Sequence, residues 1–229
     1  MKEPFTCTCK TGKMTVLYLG PPSPLVEYLQ KDHIVVTAEH PVSTTMLKIR
    51  MVDFVVSYNY RHIIQPDVLE ILANRVINLH ISYLPWNRGA DPNFWSWLDN
   101  TPKGVTIHYI DKGLDTGDII AQREVKLTEG TLKTTYETLH GEIQKLFKEY
   151  WPIIKNGTCS KIPQSERGDH TIAVATRNIG GSFYPKVMTQ ISSMFNVCEQ
   201  WMSRSYQYLI KSVYYRISSP KFILNTEDI

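Results

Sequence analysis

The sequence predicts an α/β fold: a Rossmann-like, mostly parallel sheet with helices on both faces, followed by a small C-terminal appendage. Three observations point there. Short apolar runs recur at 14–20, 33–39, 54–58 and 75–82. Helical segments separate several of them, and the runs are continuously apolar rather than alternating, as in strands covered on both faces.

The elements follow in order. Residues 1–13 are polar and unpatterned, a flexible lead-in. MTVLYLG (14–20) is a strand that ends at Gly20 before Pro21 and Pro22, and SPLVEYLQK (23–31) is a helix capped by Ser23 with Pro24 in its first turn. This β–turn–α opening lacks the spaced glycines of a dinucleotide fingerprint, which disfavours a nicotinamide cofactor. HIVVTAE (33–39) and FVVSY (54–58) are strands, QPDVLEILAN (65–74) is a helix, and RVINLHIS (75–82) is a fourth strand. Beyond it, FWSWLDN (94–100) reads as helix, GVTIHYID (104–111) and DIIAQREVKL (118–127) as strands, and 131–157 as one long amphipathic helix with apolar residues at helical spacing. From about residue 158 onward the patterning weakens. The aromatic-rich appendage, 161–229, is expected to serve dimerisation or substrate contacts.

Composition narrows the function. A chain of 229 residues, 42% hydrophobic and 21% charged, is that of an ordinary globular protein. A net charge of +3 gives no basic footprint for nucleic acid. The four cysteines, Cys7, Cys9, Cys159 and Cys198, fall in no metal-ligand spacing, so no metal is expected and free thiols in a reducing cytoplasm are the simpler reading. No stretch is long and apolar enough for a membrane span, and the N-terminus lacks the apolar centre of a signal peptide.

In parallel sheets ligands gather beyond the carboxyl ends of strands. There NLHISYLPWNRG (78–89) places an amide, Asn78, and an imidazole, His80, two residues apart on one strand face. HYIDKGLDTGDII (108–120) adds Asp115. An amide that holds an oxyanion, an imidazole that exchanges a proton and a carboxylate that steadies the imidazolium are the parts of acyl transfer. Each alone also has a structural reading: His80 as a hydrogen-bonder, Asn78 as a strand cap, LDTGD as a turn. Nearby, Trp86 and Trp95 can stack on a sugar or base, Arg88 can pair with phosphate, and Asn93 can bond hydroxyls. Packing and loop bracing are the alternatives.

NLHISYLPWNRGADP followed by GVTIHYIDKGLDTGDII resembles the catalytic domain of the formyltransferases, whose pattern is N-x-H-x-S-x-L-P and then V-T-x-H and L-D-x-G. The resemblance covers residues 14–160, which it implies are the catalytic domain, and it implies Asn78, His80 and Asp115 as catalytic triad and 10-formyltetrahydrofolate as co-substrate. It implies a pterin pocket of largely main-chain groups at Tyr58, Asn59, Tyr60 and Arg61 and over Asp111–Asp115, including Gly113, with Ser82, Tyr83, Leu84 and Pro85 as the adjoining folate segment. PWNRGADPNFWSWL further resembles the sugar N-formyltransferases. The expected acceptor is therefore the amine of a dTDP- or GDP-linked dideoxy amino sugar, with Trp86, Arg88 and Asn93 as its contacts, in a cytoplasmic homodimer. A formyltetrahydrofolate hydrolase, a formyltransferase for another small amine and a non-catalytic folate-binding protein are the alternatives.

Overall fold

A computed structural model describes residues 12–127 and 130–165. Its elements run β1 (Thr15–Leu19), α1 (Pro24–Gln30), β2 (Ile34–Ala38), α2 (Thr44–Ile49), β3 (Phe54–Tyr58), α3 (Pro66–Ile71), β4 (Val76–His80), α4 (Pro92–Leu98), β5 (Gly104–Tyr109), β6 (Ile119–Glu124) and α5 (Leu132–Lys155). They form a six-stranded sheet in the order β2-β1-β3-β4-β5-β6. The strands β1 to β4 pair in parallel, whereas β5 runs antiparallel to both β4 and β6. The mostly parallel sheet read from the sequence is present, and the reversal at β5 is its one departure.

The two faces of the sheet are covered differently. Val16, Tyr18, Phe54, Val56, Ile77, Leu79, Val105 and Ile107 pack with Leu25 and Leu29 of α1 and with Leu139, Ile143, Phe147 and Trp151 of α5. The opposite face buries Leu17, Leu19, Val55 and Val76 against Leu47 and Val68, from α2 and α3. Since side chains alternate along a strand, Val76, Asn78 and His80 share that second face. The apolar cover there ends at Val76, and polar residues begin.

Local chemistry explains the element ends. Ser23 caps α1 by accepting from the Leu25 amide, and the Tyr18 hydroxyl, on the adjoining strand, donates to Ser23 Oγ at 2.9 Å. Gly20 has φ 132, and a Cβ there would lie 1.8 Å from the Tyr58 carbonyl oxygen. The ends of β1 and β3 therefore approach closely only through glycine. Helix α2, in a stretch left unassigned by the sequence reading, is a six-residue turn started by Ser43, which accepts from the Met46 amide. Its threonines and isoleucine are weak helix formers, so periodicity does not announce it. At α5 a reciprocal capping box between Thr131 and Thr134 satisfies amides of the first turn.

Pairing with the sheet continues just past residue 160. Ile162 and Ile119 exchange both backbone hydrogen bonds, at 2.8 and 2.9 Å, so the chain after α5 is stitched to the start of β6. The remainder of the expected appendage, from 166 onward, lies outside the described residues, as does most of the 1–13 lead-in.

Candidate active site

β4 presents Asn78 and His80 on the sheet face that α2 and α3 leave uncovered. The antiparallel register sets Asn78 opposite His108 and His80 opposite Thr106. The loop between β5 and β6 is closed at its base by the Tyr109 amide donating to the Asp118 carbonyl at 2.9 Å. Inside it Asp111 Oδ1 accepts from the Gly113 amide at 3.0 Å and the Thr116 hydroxyl at 2.7 Å. So folded, the loop brings Asp115 to β4 with a left-handed φ of 52. An aspartate tolerates that conformation better than most side chains do.

The three candidate residues meet. Asn78 Nδ2 donates to Asp115 Oδ1 at 3.1 Å, and His80 Nδ1 lies 3.7 Å from Asp115 Oδ2. The Gly89 amide donates to the same Oδ2 at 2.8 Å. His108 is a fourth member that the sequence reading gave no role. Its Nε2 is 3.4 Å from Asp115 Oδ1 and 3.3 Å from Asn78 Nδ2, and its Nδ1 donates to the Tyr109 carbonyl at 2.8 Å. Only the V-T-x-H pattern (VTIH, 105–108) marked it beforehand. The register across β4 and β5 gives it a place.

Proton states follow from burial and charge. Desolvation is the largest influence on His80 and holds its pKa below the ordinary value of 6.5, outweighing the raising effect of Asp115. The ring is therefore neutral at pH 7. Nε2 lies 3.0 Å from the Asn87 carbonyl oxygen, an acceptor, so the neutral ring carries its proton there and leaves the Nδ1 lone pair towards Asp115. Asn87 is itself buried, has a left-handed φ of 55 and is anchored by the Thr101 hydroxyl, which donates to its Oδ1 at 2.6 Å. For Asp115, burial pushes the pKa up. The neighbouring imidazoles of His80 and His108, a hydrogen bond with His108 and the Gly89 amide together pull it well below the usual carboxylate range. The site pairs a stable carboxylate with a neutral imidazole, a combination suited to accepting one proton and holding it briefly.

Around this cluster the other expected residues take varied positions. Ser82 Oγ donates to the Trp86 carbonyl at 2.8 Å, the Leu84–Pro85 peptide is cis, and the Leu84 amide donates to Thr106 Oγ1 at 3.1 Å. Ser82 to Trp86 thus form a tight turn directly after His80. Tyr83 is half-buried beside Gly104. Tyr58, at the end of β3, directs its hydroxyl to the opposite sheet face, where it meets His140 Nδ1 at 2.5 Å and accepts from Gln144 Nε2 at 3.2 Å. Asn59 bonds Tyr136, Tyr60 donates to the His40 carbonyl at 2.8 Å, and Arg61 is exposed.

Two of the expected substrate contacts make hydrogen bonds within the fold. Asn93 is buried, and its Nδ2 donates to the Leu132 carbonyl at 3.2 Å and to Thr135 Oγ1 at 3.0 Å. It joins α4 to the first turn of α5, so its donor is spent on the fold. Arg88 turns its guanidinium onto Gln164 Oε1, with Nε at 3.2 Å and Nη2 at 2.9 Å, and Nη2 also donates to the Ser165 carbonyl at 3.3 Å. So engaged, the fork braces the loop. Among the described residues no group of three or more His, Cys, Asp or Glu side chains is arranged to hold a metal.

The profile of the formyl transferase family matches residues 21–152, more than half of the chain. The chain belongs to the formyltransferase family. The formyltransferase PseJ from Anoxybacillus kamchatkensis, solved in complex with UDP-4,6-dideoxy-4-formamido-L-AltNAc and tetrahydrofolate, is 51% identical; the match covers 69% of this chain and 86% of that one with a TM-score of 0.65. The methionyl-tRNA formyltransferase of Ruminiclostridium cellulolyticum is 30% identical over 154 residues, 65% of this chain and 48% of the relative. This formyltransferase chain therefore spans about half the length of that curated relative. A Helicobacter canadensis N-formyltransferase shares the fold, with a TM-score of 0.60 over 79% of this chain and 80% of that one at 21% identity.

Proposed function

We propose that the chain is a folate-dependent N-formyltransferase that moves the formyl group of 10-formyltetrahydrofolate onto the amine of a nucleotide-linked amino sugar. The convergence of Asn78, neutral His80 and ionised Asp115 in one buried cluster carries this reading. The donor supplies an activated formyl group on a nitrogen that leaves as an amine. His80 Nδ1 takes the proton that the sugar amine loses as it bonds to the formyl carbon, and returns it to the departing nitrogen when the old carbon–nitrogen bond breaks. Asp115 stabilises the transient imidazolium across 3.7 Å. Asn78 keeps one N–H on Asp115 and turns the other, which faces His108 at 3.3 Å, to the developing oxyanion. No side-chain nucleophile is required, because the acceptor attacks directly.

The donor's pterin is assigned to main-chain groups of 58–61 and 111–115, with the Ser82–Pro85 turn beside it and Trp86 flanking the acceptor. For the acceptor, 51% identity to a protein bound to a UDP-linked 4-formamido sugar favours a uridine nucleotide with a 4-amino group over the dTDP or GDP sugars expected from the sequence. The methionyl-tRNA formyltransferases among the relatives support a second reading, with charged initiator tRNA as acceptor. The near balance of 25 basic and 22 acidic residues favours the small acceptor. Incubation with 10-formyltetrahydrofolate and UDP-, dTDP- and GDP-linked amino sugars, methionyl-tRNA or no acceptor, followed by mass spectrometry, tests both. Formylated UDP-4-amino sugar is the expected product. Formylation of tRNA alone, or release of formate without acceptor, contradicts the proposal.

A further inference from the structure

We propose that Gln164, acting with Arg88, is a positioning residue that holds Asp115 in its working conformation and joins the chain after α5 to the chemistry. It rests on the formyl-transfer reading of the site. Gln164 lies beyond the segment matched by the family profile. Its side chain spends its full hydrogen-bonding capacity at the cluster. The amide nitrogen donates to the Asp115 carbonyl at 2.9 Å and to the Gly117 carbonyl at 2.7 Å, and Oε1 accepts from Arg88 Nε at 3.2 Å and Nη2 at 2.9 Å.

These four bonds tie together two loops that no strand pairing joins directly. One carries Asp115 and Gly117; the other carries Arg88 and Gly89, whose amide donates to Asp115 Oδ2 at 2.8 Å. The carboxylate is held from its backbone side by Gln164 and from its oxygen side by Gly89. Arg88, next to Gly89, completes the ring through Gln164. The backbone pair between Ile162 and Ile119 delivers Gln164 to this place, two residues after the bridge.

The need for such a clamp comes from local conformation. Asp115 sits at φ 52, which is costly for a residue with a side chain and persists only where its surroundings hold it. Gly117 returns the loop so close to β5 that a Cβ would lie 1.9 Å from the Tyr109 carbonyl oxygen. Two turned-out carbonyls, of Asp115 and Gly117, would otherwise lack these partners. A primary amide is the side chain that can donate to both and still accept from a guanidinium.

The test uses the full chain with Gln164→Met, similar in length but unable to donate, and Arg88→Lys, which loses the fork. Steady-state kinetics on the acceptor and hydrogen exchange of the Gly89 amide are read together. Gln164→Met is expected to lower kcat by about a hundredfold, as a misplaced catalytic group does. KM for the donor stays near wild type, and Gly89 protection falls by about tenfold. Arg88→Lys gives the same pattern at smaller amplitude and carries the test if Gln164→Met fails to fold. Unchanged kcat, or a rise in KM at constant kcat, overturns the proposal. So does unaltered Gly89 protection. If the wild type transfers no formyl group, the functional reading fails, while the exchange comparison still decides whether the clamp exists.

Discussion

Two desolvated imidazoles, one buried and one half-buried, sit on opposite faces of the same sheet, and they differ in what faces them. His80, on the face left open by α2 and α3, has a carboxylate 3.7 Å from Nδ1. His140, on α5, meets the Tyr58 hydroxyl instead and packs edge-on against Tyr136 with ring centroids 4.1 Å apart. Desolvation pushes both below the ordinary histidine value, His140 to about 4. Burial therefore explains the neutral state of each ring and cannot by itself mark a catalytic one. The distinction is the partner: Asp115 stabilises a proton on His80, while Tyr58, whose own pKa is pushed up by burial to about 12, offers His140 no negative charge.

The largest effect that would break this contrast is loss of the base. His80→Asn is expected to reduce kcat by about a thousandfold, within the range for a positioned proton acceptor, with donor affinity retained by calorimetry. Asn78→Ala comes next, with a loss of about a hundredfold in kcat from the missing oxyanion donor, read in the same formyl-transfer assay.

The pH response sharpens the contrast. With its pKa held below 6.5, His80 gives a kcat that rises with pH below that value and is flat through neutrality. His140 acts on stability. Its folded pKa of about 4 lies below the unfolded value of 6.5, so both states are neutral above 6.5 and there is no penalty. As pH falls from 6.5 to about 4 the unfolded chain takes up the proton first, costing the fold at most about 3 kcal/mol. Urea midpoints at pH 7 and 5 check this: His140→Phe loses less stability on acidification than the wild type.

The smallest effect is expected at Thr101. Thr101→Val removes the donor to Asn87 Oδ1 and costs about 1 kcal/mol of stability, while Thr101→Ser retains it. Thermal melts of the two variants measure that difference.

Much of this arrangement was legible in the sequence, for identifiable reasons. Buried parallel strands announce themselves by continuous apolar runs, and Asn78, His80 and Asp115 stand in paired motifs whose residue types suit one chemistry. His108 was not assigned a role because its place comes from cross-strand register, and the reversal of β5 leaves no signature in apolar content. The bonds that Asn93 and Arg88 make within the fold do not show in the sequence, where an amide or guanidinium near a site looks alike whether it faces a ligand or braces a helix. Gln164 follows the long helix in a stretch without periodicity, so only its hydrogen bonds identify it. α2 escaped notice because six residues are too few to show a helical period.

The most direct test of the central claim is the pH dependence of formyl transfer by the wild type and by Asp115→Asn, with donor binding measured on the same samples. The account predicts equal donor binding, a wild-type rate that is constant above neutrality, and a variant slower there by about a thousandfold whose rate profile is shifted to lower pH, since Asp115 raises the His80 pKa. An Asp115→Asn protein that transfers formyl at the wild-type rate would show that the carboxylate beside His80 takes no part in the reaction.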